Sequence, residues 1–200
     1  MTAFLQSLEC ADKSATLFLN SLHCAFSDAA WQVFSNREIW YVLYLAVAVA
    51  LFVRLGWKKG LAVTISIILT VVLCDQLGNV CKYGFARLRP CWDGEMVTSG
   101  LRILEERGGD YGFYSAHAAN AMGFAVCSLL GFRAFDKSRR YALYGSLVVL
   151  WALLAGLSRV FVGKHFLGDV LTGFAAGLLA GWALARLTSL LWTRIRRCRE

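Results

Sequence analysis

Five stretches of the chain, roughly residues 39–55, 61–81, 117–132, 140–158 and 167–192, are almost wholly apolar and about as long as a membrane crossing. A helix needs about 20 apolar residues to cross the hydrocarbon core of a bilayer. Inside that core every backbone N–H and C=O has to be satisfied within the chain, which helices do locally. The five stretches therefore predict an all-α, polytopic membrane bundle. A sixth stretch, about 14–35, is interrupted by Asn20, His23 and Asp28. It reads either as a short span, giving about six transmembrane helices, or as a helix lying in the interface plane. Residues 1–11 read as an amphipathic lead-in, without the basic region or cleavage site of a signal peptide. The whole chain, 1–200, reads as a single membrane-embedded domain.

Charge is scarce, 17% of residues, and strongly placed. A net charge of +8 invites a nucleic-acid reading. The cations, however, sit in separate clusters: Arg54, Lys58 and Lys59; Arg133, Lys137, Arg139 and Arg140; and Arg194, Arg196, Arg197 and Arg199. Each cluster flanks an apolar span, as the positive-inside bias requires. A nucleic-acid surface needs a continuous basic face, so no nucleic-acid partner is expected. Placing loops 54–59 and 132–140 and the tail in the cytoplasm puts segments 82–116 and 159–166 together on the opposite side. The seven cysteines contain no CxxC pair and lie mostly in apolar context, so neither a disulfide framework nor a zinc site is expected.

Those two outward segments hold three charged constellations. The first is KYGFARLRP, residues 82–90, with Lys82 and Arg89 before the helix-stopping Pro90. Taken alone, Lys82 and Arg89 also suit interfacial anchoring. Asp75 and Asn79 share a helical face with Lys82, which suits either a functional site or interhelical hydrogen bonding. In the second, residues 111–124, Ser115 is a plausible N-cap, with Ala116 and His117 in the first helical turn. A helix start offers unpaired N–H groups to an anion. The third, SRVFVGKHFLGD, residues 158–169, sets His165 and Asp169 four apart on one helical face. A carboxylate on one ring nitrogen orients the imidazole and leaves the other nitrogen free. Arg159 adds a guanidinium fork suited to phosphate. Lys82, Arg89 and Arg159 would surround an oxyanion, and two histidines would divide phosphoryl transfer between them.

The ordered set K-x6-RP, Ser-small-His and SR-x5-H-x3-D resembles the type 2 phosphatidic acid phosphatase (PAP2) superfamily. Its first motif is matched by Lys82, Arg89 and Pro90, and its third by Ser158, Arg159, His165 and Asp169. At the second the family usually has Pro-Ser-Gly-His, where this chain has Tyr114-Ser115-Ala116-His117. The resemblance implies a PAP2/haloperoxidase-like core acting on a lipid phosphate at the outer membrane surface, without metal or other cofactor. It implies His165 as nucleophile, Asp169 as its orienter, and His117 as acid and then base. Lys82, Arg89, Ser115, the Ala116 backbone and Arg159 would hold the phosphoryl oxygens. The compact size resembles bacterial members, which implies the cytoplasmic (inner) membrane with the site facing outward.

Among lipid substrates the expectation falls first on undecaprenyl diphosphate. Lipid A, phosphatidylglycerol phosphate and phosphatidic acid are alternatives. The acidic segment between Pro90 and Ser115 is expected to be a solvated outer face that lies over the pocket with Trp92 and screens head groups. Competing classes are a vanadium haloperoxidase, a lipid phosphotransferase, and a non-enzymatic transport or lipid-binding protein.

Overall fold

The computed structural model describes residues 3–198; residues 1, 2, 199 and 200, and with them Arg199 of the basic tail, lie outside the described residues. The elements are α1 (Ala3–Ser21), α2 (Ala25–Ser35), a 3₁₀ turn (Glu38–Trp40), α3 (Tyr41–Leu55), α4 (Trp57–Phe85), α5 (Gly94–Thr98), α6 (Ala116–Phe135), α7 (Ala142–Phe161) and α8 (Leu167–Arg197). Among the described residues, five helical segments are long and apolar enough to cross a membrane: 38–55, 57–85, 116–135, 142–161 and 167–197. They correspond to the five expected spans, with ends that differ by at most five residues.

Stretch 14–35 is not one continuous helix. It breaks at residues 22–24 between α1 and α2, and α2 has 11 residues, too few to cross a bilayer. The polar residues that interrupt it explain the break. Asn20 is buried and donates to the carbonyls of Arg102, Val160 and Phe161 at 3.0–3.2 Å. Asp28 binds Arg102 in bidentate fashion at 2.6 and 3.1 Å. Both helices are thus tied to the loop that follows α5 and to the end of α7.

The central element is α6, which is alanine- and glycine-rich and buries most of one long face. Small residues let membrane helices approach closely, and no hydrophobic gain against lipid opposes that arrangement. A Cβ at Gly177 of α8 would meet the Ala119 carbonyl carbon and the Gly123 nitrogen at 2.9 Å, so only glycine admits this α6–α8 contact. Tyr44 of α3, Phe124 of α6 and Trp151 of α7 meet edge to face, with centroids 4.8–5.9 Å apart. Outside, α3 turns Val42, Leu45, Val49 and Val53 outward, and α8 does the same with Leu171, Leu178 and Leu179. An apolar exterior of this kind suits a lipid solvent.

The basic clusters gather at one end of the bundle. Arg54 pairs with Asp136 at 2.8 Å, and Lys59, Arg196 and Arg197 line one cavity with Phe135. The charged constellations occupy the other end.

Candidate active site

Each element delivers its polar residues by a local device. Lys82 lies in the last turn of α4, whose C-cap Ala86 takes a left-handed conformation and turns the chain back. The returning segment pairs with residues 110–112: Arg89 N donates to Asp110 O at 2.8 Å and Gly112 N to Arg87 O at 2.9 Å. Arg89 Nε donates to Tyr111 O at 3.1 Å, which aims the guanidinium. Ser115 caps α6, its Oγ accepting from Ala118 N at 3.5 Å, and His117 lies in the first turn. Ala116 begins that helix without a positive φ, so alanine is accommodated where the family usually has glycine. Tyr114 replaces the family's usual proline. Its position is set by packing and by a hydrogen bond from its hydroxyl to Cys74 O at 2.9 Å.

After Arg159 the chain turns sharply, with Lys164 N and His165 N both donating to Arg159 O at 2.9 and 3.1 Å. Asp169, in the first turn of α8, accepts from Phe166 N at 3.1 Å and is fully buried. Its backbone carbonyl accepts from Ser115 N at 3.0 Å, which joins the start of α6 to the start of α8. His165 Nδ1 stands 3.5 Å from Asp169 Oδ2, longer than an ordinary hydrogen bond. Gly112 forms the wall beside this pair. A Cβ there would lie 2.9 Å from Arg89 Cγ, 3.2 Å from Asp169 Oδ2 and 3.5 Å from His165 Nδ1.

Lys82, Arg89, Ser115, Ala116, His117, Arg159, His165 and Asp169 therefore all lie at one end of the bundle. Burial lowers the His165 pKa to about 4, the Arg89 and Arg159 charges add to the effect, and Asp169 opposes it. Burial also pulls the Arg89 pKa below its ordinary value. His117 Nε2 is buried without a hydrogen-bond partner.

Two cavities meet here. One, about 460 Å³, runs from His117, Asp75 and Asn120 down apolar walls of α3, α4, α6 and α7. Asn120 donates to Asp75 at 2.8 Å, the interhelical bond that was one of the two options for Asp75. The other, about 740 Å³, is polar and lined by Ser35, Glu105, Arg159 and Lys164. Arg37 lines both.

Several of these residues were not singled out in the sequence. Arg37 lies in a short polar connection with no motif around it. Arg87 lies inside the first constellation but outside its fixed positions. Asp12 of α1 carries no sequence signal at all, yet bonds Arg87 at 2.7 Å. Glu105 is not simply solvated: it bridges Lys164 at 3.1 Å and Arg159 at 3.4 Å, and Arg159 also donates to Ser35. Burial would raise the Glu105 pKa, but Ser35 and the two cations hold it below the usual carboxylate range. Trp92 packs under Arg107 and donates to Gly108 O at 3.3 Å, so Glu105 and Glu106 are the loop residues that line the polar cavity.

Residues 55–193 match the family model of the PAP2 superfamily. Over 198 residues the chain is 30% identical to a lipid A 4'-phosphatase of Bacteroides thetaiotaomicron, covering 98% of this chain and 84% of that protein. A lipid A 4'-phosphatase of Porphyromonas gingivalis is 28% identical, over 85% of this chain and 70% of its own length. An undecaprenyl-diphosphatase of Sulfolobus acidocaldarius is 32% identical over 71% of this chain and 60% of its own length. In fold, the chain is similar to the crystal structure of a transmembrane PAP2-type phosphatidylglycerolphosphate phosphatase from Bacillus subtilis. That likeness has a TM-score of 0.70 at 21% identity, over 93% of this chain and 87% of the other. The crystal structure of Aquifex aeolicus LpxE gives a TM-score of 0.67 at 22% identity, over 86% and 93% of the two chains.

Proposed function

The chain belongs to the PAP2 superfamily, and we propose that this lipid phosphatase removes a phosphate monoester from a lipid A-type glycolipid at the outer face of the cytoplasmic membrane. The observation that carries the reading is the meeting of two cavities at Arg37 and Tyr41, with His117 on the wall of the apolar one and Arg159 on the wall of the polar one. The polar one, with Arg37, Arg159 and Lys164, suits a phosphorylated head group, and the apolar one suits an acyl chain. The breadth of the likeness to two lipid A 4'-phosphatases favours lipid A over undecaprenyl diphosphate, the first expectation from sequence. The undecaprenyl-diphosphatase relative is slightly higher in identity but matches a smaller part of the chain.

In this reading His165 attacks phosphorus through Nε2, because Nδ1 faces Asp169. An N–P bond forms as the bond from phosphorus to the sugar oxygen breaks, and His117 donates a proton to that oxygen. His117 then accepts a proton from water as the water oxygen attacks phosphorus, which releases phosphate and restores His165. Lys82, Arg89 and Arg159, with the Ser115 hydroxyl and the Ala116 N–H, stabilise the charge that grows on the equatorial oxygens. Removing one preorganised donor of this kind typically costs about 100- to 1,000-fold in rate. For Arg159 to join, substrate has to compete with Glu105.

The test is phosphate release by the purified protein from lipid A, undecaprenyl diphosphate, phosphatidylglycerol phosphate and phosphatidic acid. Fastest release from lipid A, with mass spectrometry showing loss of the 4'-phosphate alone, is expected. A clear preference for undecaprenyl diphosphate overturns the substrate assignment. His165→Ala and His117→Ala should each abolish release while the protein stays folded, and normal turnover by either defeats the mechanism.

A further inference from the structure

α1 lies outside the segment 55–193 that matches the family model, yet it reaches the groups on which His165 depends. Asp12 uses both oxygens: Oδ1 accepts from Gly168 N at 2.8 Å, and Oδ2 from Arg87 Nη2 at 2.7 Å. Arg87 then donates through Nη1 to Asp169 Oδ1 at 2.8 Å, and its guanidinium lies 4.1 Å from the centre of the Phe166 ring. The remaining oxygen of Asp169 faces His165 Nδ1 at 3.5 Å.

Hydrogen bonds therefore join Asp12, Arg87 and Asp169, and Asp169 stands against the His165 imidazole. Burial alone would lower the pKa of Arg87; the two carboxylates outweigh it and hold the pKa above its ordinary value. Arg87 fixes Oδ1 of Asp169, and the Phe166 N–H holds Oδ2, the oxygen that faces the imidazole, at 3.1 Å. Charge gives Asp12 its purpose. Arg87 alone would cancel Asp169 and leave a neutral pair facing the histidine. With Asp12 the three groups sum to one negative charge, which a positive His165 would neutralise.

We propose that Asp12 and Arg87 are positioning residues for the phosphatase reaction, holding Asp169 in the orientation and charge that His165 needs. This rests on the reading of His165 as the nucleophile. Asp12→Asn keeps the shape and an acceptor for Gly168 N but removes the charge that holds Arg87. It should lower kcat by about 10- to 100-fold while KM stays within about twofold, since misplaced geometry acts on the chemical step. Arg87→Lys, which keeps one charge but loses the two-armed bridge, should do the same.

Lys13→Gln is the control on the same helix. Its partners are Asp93 at 2.9 Å and Glu95 at 2.6 Å, neither of them in that set of bonds, so it should leave kcat unchanged. Wild-type kcat in Asp12→Asn, a loss confined to KM, or an equal loss in Lys13→Gln overturns the proposal. His165→Ala is run in the same assay. If it turns over, the nucleophile reading falls; if it is dead while Asp12→Asn is unimpaired, only the positioning role falls.

Discussion

At the scale of single residues, the state of His165 decides whether the proposed nucleophilic attack is available at neutral pH. An imidazole titrates ordinarily near about 6.5, whereas burial holds this one at about 4. The groups facing it are Asp169, which raises its pKa, and Arg89 and Arg159, which lower it, with His117 across the site. The neutral, attacking form is thus complete at pH 7 and is lost as pH falls through about 4. The acid limb of kcat/KM due to the enzyme should lie there, below the second ionisation of a phosphate monoester near about 6, and a pH–rate series separates the two. The same shift carries a stability term. A folded-state pKa below the unfolded one means stability is full above about 6.5 and declines as pH falls toward 4, where the unfolded chain binds the extra proton. Thermal unfolding in detergent across that window checks the sign.

At the scale of elements, the core of the bundle depends on how closely α6 and α8 approach. Gly177 faces the backbone of α6 and has no room for a side chain. Gly177→Leu should separate the two helices at a cost of about 3 kcal/mol and lower the thermal midpoint in detergent. Leu178→Ala, one residue on at a position about half exposed to lipid, should stay within about 0.5 kcal/mol. The helices themselves were legible in the sequence because apolar length is a local property. The fate of residues 14–35 was not, since Asn20 and Asp28 look like obstacles to a span until their partners, 74–141 residues away, are known. Spacing within single turns placed His165 beside Asp169 and Ser115 before His117. Arg87 and Asp12 were invisible because their partners lie on other elements.

At the scale of the whole molecule, charge is segregated between the two ends. The basic clusters of the span-flanking loops gather at one end with Arg54, Lys59 and Arg197, and the proposed phosphate-binding set occupies the other. The positive-inside bias predicts that the first end lies in the cytoplasm. The chain's own exposed thiols report on this: Cys10 and Cys24 lie on α1 and at the start of α2, and Cys198 follows α8 at the basic end. A membrane-impermeant maleimide added to spheroplasts should label Cys10 and Cys24 directly and Cys198 only after permeabilisation, with single Cys→Ser variants identifying each site. The reverse pattern would turn the molecule over and place the proposed chemistry in the cytoplasm.

By itself the sequence determined the five membrane-crossing helices, the gathering of the motifs at one end of the bundle, and the placing of His165 beside Asp169 and of His117 in the first turn after Ser115. Each of these follows from hydrophobic length, loop charge or spacing within a turn, all properties of contiguous residues. Tertiary structure decided what those residues touch. It brought Asp12 to Arg87 and Gly168, made Arg159 and Lys164 the partners of Glu105, and set Arg37 between two cavities. Buried and half-buried ions take whatever counter-charge the packing presents to them, and packing joins residues that no local pattern relates.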